Sequence, residues 1–532
     1  MKERFMQYKA YSEYVISNEI NLFTVVLLPQ GEGKFPTVIV RTPYVDWLEE
    51  KAEEFIVDLC KVESLDWLDR GYAMVVQHCR GRGKSDGDCI PYVNEGVDSN
   101  NLYNWVREQD FYNGEIYLMG SSYLTSVHYC AQPYGKDIKG AIFGVQDTER
   151  YNLCYRNGVL KKELQPSWYV TMYKAKSKKE KNYNSDSFEM LPLTDFTKTV
   201  FAEDVCDFDV MLRSPSPIDD FWQTHGGGAD ARGATTDLEF PVLYFTGFYD
   251  IYTGGIFDMW NKMSERARQN SVLLISPYDH SDCWNKNGLI FEKGKRKEKF
   301  GDQYPIDWFD SIRKGTSIGF EKGKVTYYRI FDNKWYTDNF YSSEKDLFLT
   351  LGKGKTTYTY DPSDPPKFKG GLCCNFGGAE FQDEVGLRDD ILSVYTEKFD
   401  NDTVVQGKMR ARLTVSSDCE DTCFYVRISI EKKEGDYGLR DDITTLAFQH
   451  ENYIPNTEVS LDFTFDEHSF LIKKDERLRV DISSADSAHY VRHTNNKGLY
   501  SEQTTTKIAK NTVDLSKSTL ILPIKQYVRR KI

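Results

Sequence analysis

The chain has 532 residues, of which 40% are hydrophobic, 14% aromatic and 28% charged, with a mean hydropathy of −0.57; this is the makeup of a folded, soluble protein of roughly three domains. A formal charge of −13 excludes a phosphate-backbone partner, because nucleic-acid binders displace counterions with clustered basic side chains. Eleven cysteines without CxxC spacing read as free thiols, and no metal or cofactor site is visible.

The opening thirty residues, MKERFMQYKAYSEYVISNEINLFTVVLLPQ, interleave charges with short apolar runs. They hold no continuous apolar stretch suited to secretion or to spanning a bilayer, so the expected compartment is the cytoplasm, with no membrane partner. Short apolar runs come next: VIV at 38–40, AMVV at 73–76, IYLM at 116–119 and AIFGV at 141–145, then VLYF at 242–245 and VLLI at 272–275. Such runs suit strands covered on both faces. In IFDMWNKM, Ile256, Met259, Trp260 and Met263 fall on one helical stripe. Strands alternating with helices predict a mostly parallel α/β sheet.

Residues 147–238 break the rhythm with a Lys-rich stretch, KAKSKKEKNYNSDS, and aromatic fragments such as QPSWYVTMY. An insertion here would sit as a cap over the carboxyl edge of the sheet, where open α/β folds bind ligands. Beyond residue 318 the period becomes two, with Phe424, Val426, Ile428 and Ile430 on one face of a strand and Leu478, Val480 and Ile482 on one face of another. That pattern predicts a β-sandwich or jelly roll. The expected division is therefore a core in two parts, 1–146 and 239–317, a helical cap at 147–238, and a β domain at 318–532.

The stretch IYLMGSSYL reads as strand, turn and helix start, with Leu124, Val127, His128 and Ala131 on one stripe. In a G-x-S elbow the third residue stands on the tight turn with its hydroxyl exposed, which selects Ser122 over Ser121. Leu124 replaces the final glycine of the usual G-x-S-x-G, and on this stretch alone either serine also suits a helix cap. The order of the later strands favours catalysis: VLYF leads to Asp250 and VLLI to His280. Ser122, Asp250 and His280 thus stand in the Ser, Asp, His order of α/β-hydrolases, each just past a strand end. Serine needs a base to take its proton, and the histidine needs an acid to fix its tautomer. Asp279 and Asp282, beside the histidine, read as loop residues, and His128 as a hydrogen-bonded core histidine. HGGG at 225–228 falls inside the cap and reads as a flexible loop, and RGRGKSDG lacks phosphate-loop spacing.

With RTPY at 41–44, QHCRGRGKSDG at 77–87, GSSYL at 120–124, GFYD at 247–250 and SPYDH at 276–280, joined by YDPSDPP at 360–366 and HSFLIKKDERLRVDISSAD, the sequence resembles the cocaine-esterase-like and X-prolyl dipeptidyl-peptidase (CocE/NonD) family over nearly its whole length. The resemblance implies a serine esterase, acylase or dipeptidyl-peptidase-type hydrolase with an α/β-hydrolase core, a helical cap and a C-terminal jelly roll. It implies that Tyr44 donates its hydroxyl, and Tyr123 its backbone N–H, to the oxyanion, and that the substrate is a small ester, amide or short peptide. Trp168, Tyr169 and Trp222 are candidate walls of the substrate pocket. An X-prolyl dipeptidyl aminopeptidase or α-amino-acid ester hydrolase is the first alternative, in which Asp147, Glu149, Asp219 or Asp220 holds a substrate ammonium. The length leaves no room for the additional N-terminal domain of the long X-prolyl dipeptidyl-peptidases. The other alternative is a non-catalytic binding protein on a hydrolase scaffold. Subunit number is left open, a homo-oligomer included. Two positions depart from the family pattern: Thr125 stands where a glycine is common, putting a β-branched side chain inside the nucleophile helix, and His78 stands where an aspartate is usual, exchanging an anion for a switchable base.

Overall fold

The computed structural model describes residues 8–45, 64–162, 168, 185–201, 206–223, 238–280, 288–341, 344–374 and 377–525. The early apolar runs become strands of one ten-stranded sheet. In chain order its strands are β1 (Lys9–Ser17), β2 (Ile20–Leu28), β3 (Phe35–Thr42), β4 (Ala73–His78), β5 (Tyr112–Ser121) and β6 (Ile138–Gly144). After a hairpin of β7 (Tyr155–Arg156) and β8 (Val159–Leu160), which pair only with each other, the sheet resumes with β9 (Val242–Gly247), β10 (Val272–Ser276), β11 (Val325–Arg329) and β12 (Lys334–Asp338). The spatial order is β1-β2-β4-β3-β5-β6-β9-β10-β11-β12, parallel from β4 to β11 and antiparallel at both ends.

Both faces of the central strands are covered, which is why they read as unbroken apolar runs. Ile39 packs into a cluster with Leu102, Tyr103 and Val106 of the helix Glu95–Arg107. Its neighbours Val38 and Val40 point the other way, toward Trp67, Trp308 and Phe309. Each such fully buried aliphatic side chain contributes about 1.5–3 kcal/mol. The helix Tyr304–Lys314 starts with Pro305 in its first turn and stops at Gly315 with φ 68°, a left-handed cap that glycine adopts without strain. Trp308 Nε1 donates to Ala141 O at 3.0 Å and so fixes this helix against β6.

The insertion between β6 and β9 carries the β7–β8 hairpin and short helices at Arg150–Cys154, Phe196–Phe201, Cys206–Leu212 and Asp220–Gln223. Its aromatic residues Phe188, Phe196, Phe201, Phe208 and Trp222 belong to one cluster with Tyr92, Tyr123 and Tyr252 of the α/β core and Tyr500 of the C-terminal domain. HGGG at 225–228, Asp282 and all but the end of the Lys-rich stretch lie outside the described residues.

Past the expected boundary at 317/318 two more strands join the first sheet. β11 and β12 extend that sheet to Asp338, and the strands of the two C-terminal sheets begin with β13 (Glu344–Thr350). β12 is a half-exposed edge strand with no continuous apolar run to mark it as part of that sheet. The C-terminal domain packs two sheets. One has the order β20 (Val459–Thr464), β17 (Arg410–Ser417), β23 (Ala509–Lys525), β16 (Thr403–Gly407) and β21 (His468–Ile472), with β13 and β14 (Lys355–Tyr360) also on β23. The other runs β15 (Leu392–Tyr395), β22 (Leu478–Ser483), β18 (Cys423–Lys432), β19 (Gly435–Thr445).

Phe424, Val426, Ile428 and Ile430 do share the inner face of β18, but the alternate residues Tyr425, Arg427 and Ser429 are buried as well. Their face is an interface rather than a solvated one. Tyr425 clusters with Val159 of the hairpin, Tyr249 Oη donates to Gly438 O at 3.0 Å, and Arg156 binds Asp442 at 2.7 Å and Asp466 at 3.2 Å. The sandwich is thereby clamped to both the cap and the loop that carries Asp250.

Candidate active site

Ser122 stands between β5 and the helix Tyr123–Tyr129 with φ 57° and ψ −133°. A non-glycine residue in this region costs about 1–3 kcal/mol and persists only where its surroundings over-determine it. Here Ser122 N donates to Gly144 O at 2.9 Å and Thr125 N to Ser122 O at 2.8 Å. Gly120 is required beneath the turn, since a Cβ there would lie 2.1 Å from Leu124 O. Ser121 ends β5 and is exposed.

Thr125 is fully buried and reinforces the elbow. Its hydroxyl lies 3.0 Å from both Gly120 O and Gly144 O, and Gly144 N donates back to it at 3.1 Å. The β-branched residue thus supplies hydrogen bonds between β5, β6 and the helix Tyr123–Tyr129 where a glycine would supply none. His78 is no switch. It is buried beneath Phe23, Lys84 N donates to its Nδ1 at 3.3 Å, and burial with the nearby Lys84 charge pulls it down to about 4. His128 is likewise a core histidine, with Nδ1 2.7 Å from Tyr103 Oη.

Asp250 and His280 leave adjacent parallel strands. Phe248 N donates to Ser276 O at 2.8 Å and Tyr249 N to Tyr278 O at 3.0 Å, which sews the two loops together. Gly247 permits that approach, because a side chain there would meet Tyr278 O at 2.1 Å. Asp250 is fully buried. Its carboxylate accepts from Thr246 Oγ1 at 2.9 Å and Tyr252 N at 3.2 Å, and Oδ1 lies 3.1 Å from His280 Nδ1. The ring of Tyr252 packs on the imidazole at 5.2 Å.

On the other side, Tyr44 comes just after β3, with its backbone N–H on Thr42 Oγ1 at 3.1 Å. Its phenol is hydrogen-bonded to the side chains of Trp168 and Ser122, and burial pushes it up to about 12. Since an indole only donates, Tyr44 accepts from Trp168 and keeps its own proton at neutral pH. Trp168 also stacks on Tyr123 at 5.2 Å and 28°. Burial, and then the Glu95 charge, push the Tyr123 phenol well above its ordinary range.

The structure therefore brings Tyr44 to Ser122 and Asp250 to His280, with Trp168 over the first pair. Trp222 is elsewhere in its role. It is buried in the cap, its Nε1 donates to Ser214 O at 2.7 Å, and its ring meets Tyr151 and Tyr155 edge-on. Tyr169 lies outside the described residues. Among the acidic candidates, Asp147 already accepts from Glu149 N at 2.8 Å and Asn152 at 3.2 Å, and burial raises it to about 6. Asp219 accepts from Ser216 N at 2.9 Å, and Asp220 is exposed.

Sequence reasoning missed Glu95, which accepts from Tyr123 Oη, and does not bring His468 of the C-terminal domain near these residues. His468 in fact packs on Phe248 and Tyr249, next to Asp250. The signal for Glu95 was present: Arg41 sits in the apolar run VIVR, and a charge in a fully buried strand demands a buried counter-charge. Cys79, Cys89, Cys130, Cys154, Cys373, Cys374, Cys419 and Cys423 form no disulfide, and no group of His, Cys, Asp and Glu among the described residues is arranged to hold a metal. No described helix is long and apolar enough to cross a membrane.

A serine on a strand-turn-helix elbow, an acid and a histidine at neighbouring strand ends, and a cap inserted before the acid define an α/β-hydrolase. Comparison with known proteins refines this. Residues 18–282 match the family model of the X-Pro dipeptidyl-peptidase (S15 family), and residues 323–519 that of the X-Pro dipeptidyl-peptidase C-terminal non-catalytic domain. The cocaine esterase of Rhodococcus sp. (strain MB1 Bresler) is 23% identical, over 89% of this chain and 90% of its own. Among solved structures, an aminopeptidase from a marine sediment archaeon, Thaumarchaeota archaeon, has a TM-score of 0.83 at 17% identity, covering 99% of this chain and 97% of its own. An α-amino acid ester hydrolase has a TM-score of 0.80 at 18% identity, covering 98% and 97%. The chain belongs to the cocaine-esterase-like and X-Pro dipeptidyl-peptidase family, and it is a hydrolase.

Proposed function

We propose that the protein cleaves an ester or amide bond of a small acyl substrate through an acyl-enzyme on Ser122. The reading is carried by the 3.1 Å contact between His280 Nδ1 and Asp250 Oδ1, beside a serine in a left-handed turn. Asp250 accepts from Nδ1–H and so leaves Nε2 free of a proton, ready to act as base. Ser122 Oγ attacks the carbonyl carbon as His280 takes its proton, and the carbonyl oxygen becomes an oxyanion. The Tyr44 hydroxyl and the Tyr123 backbone N–H stabilise that charge, each at about 3 kcal/mol. Collapse expels the alcohol or amine, which leaves with the proton from His280. Water then attacks the acyl carbon with His280 again as base, releasing the carboxylic acid and restoring Ser122.

The same site fits the substrates named for the family's relatives, which include amino-acid esters and peptides. Asp147 accepts one hydrogen bond on each oxygen, from Glu149 N and Asn152 Nδ2, and a carboxylate with about four acceptor sites keeps room for a substrate ammonium. Hydrolysis of short p-nitrophenyl esters by wild type and Ser122→Ala tests the assignment. Turnover falls about 10⁴-fold or more in the variant; equal turnover in both would refute it. Faster cleavage of aminoacyl than of N-acetylaminoacyl anilides would move the substrate class to free-amine compounds.

A further inference from the structure

Resting on that assignment, we propose that Glu95 is a positioning residue that sets the oxyanion hole by gripping both of its halves at once. Glu95 opens the helix Glu95–Arg107 and is 5% exposed. One carboxylate oxygen accepts from Tyr123 Oη at 2.7 Å. The other accepts from Arg41 Nη1 at 2.7 Å. Tyr123 directly follows the nucleophile and carries one donor on its backbone. Arg41 lies three residues before Tyr44, which carries the other donor on its side chain.

The grip is rigid at both ends. Arg41 is fully buried and also donates to Gln77 Oε1 at 2.8 Å, Ser99 Oγ at 2.9 Å and the Glu95 backbone oxygen at 3.1 Å. Asp98 adds a second carboxylate at 3.6 Å. Ser99 in turn donates to Val127 O of the nucleophile helix at 2.7 Å. The Tyr123 hydroxyl accepts from Tyr92 N at 3.0 Å, and Trp168 lies against the tyrosine ring. An oxyanion hole works only when its donors stand about 2.7–3.1 Å from the charge as it develops, and a misplacement of about 1 Å costs on the order of 100-fold. The Glu95 carboxylate couples the end of β3 to the first residue of the nucleophile helix. Neither side chain it holds touches the reacting atoms.

Tyr123→Phe removes the grip and leaves the ring, the backbone N–H and the ion pair to Arg41 in place. It is expected to lower kcat by about 10–100-fold with KM within about twofold. Affinity for an alkyl boronic acid, which forms a tetrahedral adduct on the serine, falls by the same factor, while affinity for the product carboxylate stays at the wild-type value. Glu95→Gln keeps an acceptor for the tyrosine and is expected to fall between wild type and Glu95→Ala in adduct affinity. Wild-type kcat and adduct affinity in Tyr123→Phe would overturn the inference, as would equal losses for boronate and product. Wild type without ester turnover would instead bring down the assignment of the site itself.

Discussion

The two sides of the site are built differently. Asp250 and His280 are held by short-range bonds, from Thr246, Tyr252 and the backbones of adjacent strands β9 and β10. Tyr44 and Tyr123 are held by residues far along the chain: Glu95 through a buried ion pair, and Trp168 from the cap. The acid–base side needs only the correct order of strand ends, and the sheet supplies it. The oxyanion side needs two separate segments spaced to a fraction of an ångström, and a buried charge that holds both of them supplies that.

The comparison can be broken at either side. The largest effect is expected at the acid–base side: Asp250→Asn, which keeps the size but reverses the hydrogen bond to His280, lowers kcat by roughly 10⁴-fold, measured by steady-state ester hydrolysis. Tyr44→Phe removes one oxyanion donor and lowers kcat by about 10²–10³-fold; a loss confined to KM would argue that Tyr44 binds substrate instead. Thr125→Val deletes the hydroxyl that joins Gly120 and Gly144, at a cost of about 1–3 kcal/mol in urea unfolding. An unchanged midpoint would show that helix packing alone holds the elbow.

The smallest effect concerns pH. The folded state holds His78 neutral down to about 4, whereas its ordinary value is 6.5. Its contribution is therefore complete above 6.5 and is lost as pH falls toward 4, amounting to at most about 3 kcal/mol. His78→Gln is expected to lose less stability than wild type over that window, read as Tm against pH; parallel curves would contradict it.

Legibility in the sequence divides along the same line. The positions of Ser122, Asp250 and His280 just past strand ends are readable because each follows an apolar run, and such runs announce buried parallel strands. The parts of the oxyanion side are less so. Tyr44 comes from resemblance alone. Glu95 sits in VNEGVDSN, where a carboxylate looks like an ordinary acidic residue in a first helical turn, and only the buried Arg41 signals that it must face inward. Trp222 shows the opposite case, an aromatic assigned to the pocket from its position in the cap but buried against Tyr151 and Tyr155 with its Nε1 on Ser214 O. The pairing of β11 and β12 with the first sheet, beyond residue 318, is not legible because β12 is a half-exposed edge strand without an apolar run. The outer face of β18 is buried because Phe368, Lys369 and Tyr490 of the same domain, with Val159 of the cap, lie on it, which alternation within one strand does not encode.

The central claim is that Ser122 is the nucleophile, and fluorophosphonate labelling with peptide mapping tests it most directly. The account predicts a single label on Ser122 of the folded wild type, sharply slowed in Asp250→Asn and absent in Ser122→Ala. A label on Ser121, or folded wild type that takes none, would contradict it.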